Sequence, residues 1–297
     1  MPAERITIPT LELQLTNTCQ HSCTFCANTD GPENQQAVSR EMLTSIFGKA
    51  DIGTVIFTGG EPTTRMPLLL DGIRAAKESG VSIIKMNSNM ELLTPERLKL
   101  LEKAGLDTLH FSLNTLDPER HRQLRGNPRA SVEQVVKTIQ AALETTQLNL
   151  KPEFVGTREN LKDFWAIYSH LDKLHQAYPN RIGTLELQRM IQTGRAENSS
   201  PPSIDEIIET LRQQQLGELG IDAFCFGKEG AKLAQHGINP LKCLDHSECG
   251  CSLVRMDVRG RISDTNFAGS SPIGDITTLT PRAVTNLLST PCPLAAI

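Results

Sequence analysis

The chain has 297 residues, of which 38% are hydrophobic, and its formal net charge is −4. This length and apolar content suffice for one large α/β domain with its own core, with or without a small appendage. Basic and acidic residues are interspersed, so we expect neither a nucleic-acid partner nor a membrane-binding face. No apolar stretch of the sequence is long enough to span a bilayer, and the first residues do not show the pattern of a secretory signal peptide. We therefore expect a cytoplasmic location, where the cysteines are reduced.

Predicted strands and helices alternate from residue 11 to residue 187. Alternating hydrophobicity and short apolar runs predict strands at 11–15, 53–57, 81–85, 108–113, 148–155 and 183–187. Helical spacing and capping residues predict helices at 41–49, 67–79, 94–105, from 117, 132–145 and 161–175. Because alternating βα units with short connections require parallel strands with helices outside, the sequence predicts an α/β fold, a partial (β/α)6 TIM barrel.

The regular alternation is predicted to end after Leu187. Residues 189–203 are rich in Ser, Pro and Gly, which is typical of a linker. Ser203 and Glu206 form a capping box, which predicts that a helix begins there and extends over 204–215.

The character of the sequence changes again at about residue 225, where cysteines recur between many turn residues. The stretch 252–263 has the pattern of a β-hairpin that turns at Arg259-Gly260. We therefore expect a core domain over residues 1–200 and a small cysteine-rich C-terminal extension over 201–297.

Three cysteines directly after the first predicted strand are the most specific chemical signal. Cys19, Cys23 and Cys26 form C-x3-C-x2-C, which places three soft thiolates in one short loop. This arrangement suits an iron–sulfur cluster or another metal better than a disulfide. On a four-iron cluster, three protein ligands leave one iron open for a further ligand. The alternatives are a zinc site, with His21 inside the loop, and three inert buried thiols.

Polar and glycine-rich segments lie at the carboxyl ends of three further predicted strands, at 58–62 (TGGEP), 86–89 (MNSN) and 111–114 (FSLN). In a parallel barrel the carboxyl ends of the strands meet at one rim, where the chemistry takes place. Glycines let the backbone approach a ligand closely, and Asn and Ser side chains supply hydrogen-bond donors and acceptors. Each segment alone is more often a turn or a polar loop, but their joint placement favours one shared site.

The cysteine motif, with Phe25 directly before its last cysteine, resembles the signature of radical S-adenosylmethionine (radical SAM) enzymes. The three segments at the other strand ends occur in the order of that family's SAM-binding motifs. The resemblance implies a partial TIM barrel and a catalytic 4Fe–4S cluster whose open iron chelates SAM. It also implies an electron donor such as flavodoxin or ferredoxin, and cleavage of SAM to methionine and a 5′-deoxyadenosyl radical that abstracts hydrogen from the substrate.

By this resemblance Cys19, Cys23 and Cys26 hold the catalytic cluster. Residues from the other motifs are expected to surround SAM, namely Phe25, Gly59, Gly60, Glu61, Pro62, Asn87, Asn89, Ser112 and Asn114. Arg125, in a Leu-Arg-Gly stretch after the fourth strand, is expected to reach the SAM carboxylate, with a solvated surface arginine as the alternative.

The late cysteines resemble the ligands of an auxiliary iron–sulfur cluster in the twitch and SPASM extensions of radical SAM enzymes. The residues concerned are Cys243, Cys249, Cys251 and Cys292. A zinc knuckle and free buried cysteines are the alternatives, because connectivity cannot be deduced from spacing. Cys225 is predicted to be a catalytic hydrogen-atom donor, with a cluster ligand or a buried structural thiol between Phe224 and Phe226 as the alternatives.

Within the superfamily the chain most resembles the GTP cyclases of molybdenum-cofactor biosynthesis, through residues 112–120 (SLNTLDPER), Arg125-Gly126 and the hairpin after Cys251. It departs from them in its C-x-C spacing at 249–251 and in lacking basic residues at two places, near Glu12 and Ile56. These departures predict the same radical chemistry on a different substrate.

Two classes of substrate stay open, a small polar metabolite such as a nucleotide or a sugar, and a ribosomally made peptide. The cyclase likeness favours the metabolite. A non-catalytic iron–sulfur electron carrier is the rival from another class, but a carrier has no use for a cofactor-binding segment such as Gly59-Gly60 beside its cluster.

Overall fold

The computed structural model describes residues 5–27, 35–224, 226, 229–240, 253–263, 272, 274–276 and 278–288. The described strands are β1 (Ile6–Thr16), β2 (Ala50–Gly59), β3 (Ile83–Ser88), β4 (Thr108–Ser112), β5 (Asn149–Gly156), β6 (Leu185–Arg189), β7 (Ile221–Phe224), β8 (Asn239–Pro240), β9 (Leu253–Met256), β10 (Arg261–Ser263) and β11 (Gly274–Asp275). The described helices are α1 (Arg40–Lys49), α2 (Met66–Glu78), α3 (Pro95–Ala104), α4 (Pro118–Arg125), α5 (Val132–Thr145), α6 (Phe164–Ala177), α7 (Ile204–Leu211), α8 (Gly230–Ala234) and α9 (Pro281–Leu288).

The described strands form one sheet in the order β11-β10-β9-β1-β2-β3-β4-β5-β6-β7-β8. Neighbouring strands from β9 through β1 to β8 pair in parallel, whereas β10 pairs antiparallel with both β9 and β11. This mixed α/β fold with a mostly parallel sheet confirms the predicted partial TIM barrel.

Side chains alternate between the two faces of the sheet. Phe57 of β2 lies against Gly72 of α2, since a Cβ atom on Gly72 would come within 2.9 Å of the Phe57 ring. Phe154 of β5 packs edge to face on Phe164 of α6, with 5.5 Å between the ring centroids. The neighbouring residues Thr58 and Glu153 therefore point to the opposite face, which is the lumen of the partial barrel. The apolar core lies between sheet and helices, and the lumen is polar.

Several local predictions are confirmed. Helix α5 has the predicted bounds, and α3 is followed by Gly105, which adopts the left-handed conformation expected of a C-cap (φ 112°). The capping box of Ser203 and Glu206 is present at the start of α7. The hairpin of β9 and β10 turns at Gly260, whose φ is 78°.

The predicted bounds of several elements are wrong. Strands β3 and β6 each begin and end later than the predicted ranges of 81–85 and 183–187. Helix α7 ends at Leu211 rather than at 215. In β3 the polar segment at 87–88 continues the strand, because parallel pairing with β4 extends to Ser88. Long-range pairing therefore fixes a strand end that local composition describes as a loop.

The expectation that the alternation ends after Leu187 is also wrong. Helix α7 leads into β7, which pairs in parallel with β6, and β9 pairs in parallel with β1 at the other side of the sheet. Strand β7 is short and carries a charged residue, Asp222, so it lacks the long apolar run by which buried strands are found. The division of the chain at residue 200 stays a prediction. Of the helices in the described ranges, not one is both long and apolar enough to cross a membrane.

Candidate active site

An open cavity lies at the carboxyl ends of β1 to β4. Its described lining combines the cysteine loop with the ends of the neighbouring strands and consists of Cys19, Cys23, Phe25, Cys26, Thr58, Gly60, Glu61, Asn87, Ser88, Asn89, Ser112, Arg125 and Arg195. The structure therefore brings together most of the predicted site residues. Three of them, Gly59, Pro62 and Asn114, are not part of this lining.

The three cysteines of the loop are free thiols around this cavity. Burial raises the pKa of Cys19 to about 12, although the His21 N–H that donates to its Sγ at 3.4 Å acts in the opposite direction. The negative charges of Glu61, Cys23 and Cys26 raise this pKa further. Such a thiol gives up its proton at neutral pH when a metal takes the place of that proton. Three clustered, half-buried to buried thiols fit the ligand set of an iron–sulfur cluster.

The His21 imidazole is engaged away from the cysteines. Its Nδ1 lies 3.1 Å from Asn127 Nδ2, which can only donate, so Nδ1 accepts and Nε2 carries the proton. Nε2 lies 3.1 Å from Glu91 Oε1, at an angle unsuited to a good hydrogen bond, and the same oxygen accepts from His121 Nε2 at 2.9 Å. Both nitrogens of His21 face protein groups, so the geometry gives no support to His21 as a fourth zinc ligand.

The two glycines of the TGGEP segment allow the end of β2 to contact the cysteine loop. Gly59 has a φ of 147°, and a Cβ atom on it would collide with the carbonyl oxygen of Thr16. Gly60 donates its N–H to that oxygen at 2.7 Å, and a Cβ atom there would meet the backbone of Thr18. The glycines are thus needed first for the approach of two protein segments; of the two, Gly60 also lines the cavity.

Glu61 connects the ends of β2 and β3 through hydrogen bonds. Only 1% of its surface is exposed. Its Oε1 accepts from Thr63 Oγ1 at 2.6 Å and from Ser88 Oγ at 2.9 Å, and its Oε2 accepts from Asn89 N–H at 2.7 Å. Both carboxylate oxygens are therefore used by the protein, and Glu61 positions the surrounding loops.

The three predicted asparagines differ in whether their side-chain oxygens already accept a hydrogen bond from the protein. Asn89 Oδ1 accepts from Gln20 Nε2 at 2.9 Å, and Asn114 Oδ1 accepts from Val155 N–H at 2.8 Å. Asn87 lines the cavity, and its buried Oδ1 has no hydrogen-bond partner among the described residues. A buried acceptor without a partner is costly unless a ligand donates to it, so Asn87 fits contact with a cofactor.

Arg125 is buried, with 4% of its surface exposed, which contradicts the alternative of a solvated surface arginine. Its Nη2 donates to the Ser112 carbonyl oxygen at 3.0 Å, and its Nη1 lies 3.7 Å from Cys23 Sγ. The guanidinium therefore places a positive charge at the cavity wall beside the cysteine loop.

The sequence prediction missed Arg195. Its Nε donates to the Cys23 carbonyl oxygen at 3.1 Å, and its N–H donates to the Cys26 carbonyl oxygen at 3.0 Å. It lies in a 3-10 turn, Gly194–Ala196, within the stretch that was predicted to be a linker. The available signal was position, because Arg195 follows β6 as the other site residues follow their strands.

Cys225, Cys243, Cys249, Cys251 and Cys292 lie outside the described residues. The auxiliary cluster and the role of Cys225 therefore stay predictions.

Comparisons with known proteins agree with this geometry. Residues 13–171 match the family model described as the Radical SAM superfamily. A protein of Sulfurisphaera tokodaii described as a probable GTP 3′,8-cyclase is 33% identical over 274 residues, which cover 86% of this chain and 80% of that protein. The chain belongs to the radical SAM superfamily and is a SAM-dependent enzyme, and the family implies a 4Fe–4S cluster and SAM as its cofactors.

Two solved structures share the fold. SuiB of Streptococcus suis, bound to the precursor peptide SuiA, aligns with a TM-score of 0.69 at 16% identity and covers 97% of this chain and 66% of its own. HydG of Carboxydothermus hydrogenoformans, an FeFe-hydrogenase maturase, aligns with a TM-score of 0.59 at 19% identity, over 79% of this chain and 58% of its own. This chain spans less than two thirds of either protein, and at these identities the likeness shows the fold alone.

Proposed function

We propose that the chain reductively cleaves SAM at a 4Fe–4S cluster held by Cys19, Cys23 and Cys26, and uses the resulting radical to abstract hydrogen from a small polar metabolite. The observation that carries this proposal is one cavity lined by three cysteines and by the partnerless acceptor of Asn87. When bound, the cluster supplies the electron that cleaves SAM to methionine and the 5′-deoxyadenosyl radical.

The chain's own residues would bind, orient and shield the cofactors. Gly60 and Asn87 offer backbone and amide groups to SAM, and Phe25 covers one side of the cavity. Arg125 compensates negative charge near Cys23, while Arg195 holds the carbonyl groups of the cysteine loop. A positive charge fixed close to thiolate ligands favours the ligated form over the protonated one.

A metabolite is favoured over a peptide as the substrate because the relative named as a GTP cyclase is similar over most of its length, whereas SuiB shares the fold at 16% identity. The lumen beside β1 supports a substrate other than an anionic nucleotide. Arg255 of β9 donates to Gln14 Oε1 at 3.1 Å, and its Nε lies 3.9 Å from Glu12 Oε1, so a carboxylate already compensates this cation.

An anaerobic assay tests the proposal. The chain is reconstituted with iron and sulfide, and SAM is added with dithionite or with reduced flavodoxin, the class of electron donor that we propose. We expect 5′-deoxyadenosine, which increases when uncharged polar metabolites such as sugars or nucleosides are present and does not respond to nucleotides or to unmodified precursor peptides. Iron binding without any 5′-deoxyadenosine would instead support an electron carrier.

The three cysteine ligands are tested together. Replacing Cys19, Cys23 and Cys26 with alanine is expected to abolish 5′-deoxyadenosine formation, because the cluster loses all of its protein ligands from the loop. Far-UV circular dichroism is expected to stay close to that of the wild type, since the three cysteines lie in a loop outside the helices and strands. Preserved SAM cleavage in the triple variant would refute the assignment.

The iron content of the same preparations tests whether the C-terminal part of the chain binds a second cluster. We propose an auxiliary iron–sulfur cluster on Cys243, Cys249, Cys251 and Cys292, within an extension that follows residue 200. About eight irons per chain would support it, whereas about four with normal SAM cleavage would remove it.

A further inference from the structure

A mixed group of ionisable side chains lies in the lumen, apart from the cysteine loop. His110 of β4, Glu153 of β5 and Glu186 of β6 each offer a ligand atom, and these three atoms lie within 4.8 Å of one another. Glu153 and Glu186 are direct partners across the β5–β6 pair. Phe154, the next residue on β5, packs on α6, so the carboxylate of Glu153 projects to the opposite, lumen face.

Two buried carboxylates opposite each other are unfavourable without compensation. Glu153 and Glu186 are each 7% exposed, and like charges at directly paired positions repel. Burial, and then the charge of Glu153, raises the pKa of Glu186.

The neighbouring groups compensate this pair only in part. Glu153 Oε1 lies 2.9 Å from His110 Nδ1, and Glu186 Oε1 accepts from the neutral amide of Gln188 at 2.9 Å. The Lys151 ammonium is bound to Asp222 Oδ2 at 2.7 Å. The pair therefore needs either a proton or a further cation.

We propose that His110, Glu153 and Glu186 bind a divalent cation of the Mn²⁺ or Zn²⁺ type in the lumen. One imidazole nitrogen and two carboxylate oxygens form a donor set that such ions accept, and three protein ligands leave coordination positions for water or substrate. If the proposed function is correct, the ion would hold an oxygen atom of the metabolite inside the barrel. Cation binding itself is independent of that function.

Mn²⁺ is the probe, because the six-line electron paramagnetic resonance signal of free Mn²⁺ disappears on binding and can be counted. The holoenzyme, with its iron–sulfur sites loaded, is titrated anaerobically without SAM. We expect one bound Mn²⁺ per chain, which Zn²⁺ displaces. Glu186→Gln and His110→Ala are each expected to weaken Mn²⁺ binding by at least about tenfold.

Glu12→Gln is the matched control. Glu12 is also a buried lumen carboxylate, 8% exposed, but it lies on β1 beside Arg255, so this variant is expected to bind Mn²⁺ like the wild type. Glutamine at 186 preserves the shape and the acceptor for Gln188, and the iron content of each variant verifies that it is folded.

Two results would overturn the cation site. Wild-type holoenzyme that leaves the Mn²⁺ signal unchanged would mean that a shared proton compensates the two carboxylates. Binding that persists in both Glu186→Gln and His110→Ala would place the ion elsewhere. SAM cleavage is not part of this readout, so the cation site and the proposed function can fail separately.

Discussion

Arg125 has a buried guanidinium group that donates a hydrogen bond to a backbone carbonyl group. Its Nη2 donates to the Ser112 carbonyl oxygen, and its Nη1 is near Cys23 Sγ. Removing one partner of a buried hydrogen bond costs about 1–3 kcal/mol. We expect Arg125→Ala to lower the free energy of unfolding by about that amount and to reduce 5′-deoxyadenosine formation. Denaturant unfolding and product chromatography measure the two effects.

Arg122 on the same helix provides the control. Its exposed guanidinium pairs with Glu119 at 2.8 Å on the surface, and such pairs contribute about 0–1 kcal/mol. Arg122→Ala is expected to behave like the wild type in both assays. If Arg125→Ala does so too, the inferred role of Arg125 is wrong.

The Glu91 carboxyl group is expected to make the stability of the fold depend on pH. Burial acts to raise the pKa of Glu91, but the hydrogen bond from His121 and the close approach of His21 outweigh it and lower the pKa from 4.5 to about 2. A carboxyl group with a depressed pKa in the folded chain stabilises the fold above its unfolded pKa and loses this contribution as the pH falls toward the folded value. We expect wild type to lose stability between pH 4.5 and 2 more steeply than Glu91→Gln.

Urea unfolding of the metal-free chain at several pH values checks this expectation, since acid-labile clusters are then not involved. If the free energy of unfolding falls with pH equally for the wild type and Glu91→Gln, Glu91 does not stabilise the cysteine loop through the two histidines.

The end of β2 contacts the end of β1 at Gly59. Because a side chain there would collide with the Thr16 carbonyl oxygen and the φ of 147° is strained for other residues, Gly59→Ala is expected to destabilise the fold by about 1–3 kcal/mol. It is also expected to lower the iron bound after reconstitution, since the cysteine loop starts directly after Thr16.

Gly48 in α1 is the matched glycine, because a Cβ atom on it meets nothing within 4 Å. Gly48→Ala is expected to leave iron content unchanged and to be neutral or stabilising by up to about 1 kcal/mol, from helix propensity. Denaturant unfolding and iron analysis compare the two variants, and equal effects would remove the special role of Gly59.

Helices and strands beyond residue 200 complete the core of the protein. Trp165, the single tryptophan of the chain, is 5% exposed and donates its Nε1 to the Thr210 carbonyl oxygen at 2.6 Å. We expect a chain that ends at residue 200 to expose Trp165 and the edge of β6, and therefore to associate. Red-shifted tryptophan fluorescence and size-exclusion chromatography check this, and a monomer with native fluorescence would instead support an independent domain over 1–200.

Features that depend on interactions between residues close in sequence could be predicted before the structure was known. The bounds of α5, the left-handed cap at Gly105, the capping box at Ser203 and the cysteine spacing all follow from side-chain and backbone contacts within about one turn or one loop. The alternation of strands and helices then allowed the parallel barrel and its functional rim to be predicted.

Contacts between side chains that are distant in sequence could not be predicted and are known from the fold. Arg195 contacts the Cys23 carbonyl oxygen across 172 residues of sequence, and Arg125 is buried because α4 packs beside the cysteine loop. Glu153 and Glu186 become neighbours through the β5–β6 register. These contacts depend on strand register and on loop paths, to which many weak long-range interactions contribute, and no local pattern encodes them.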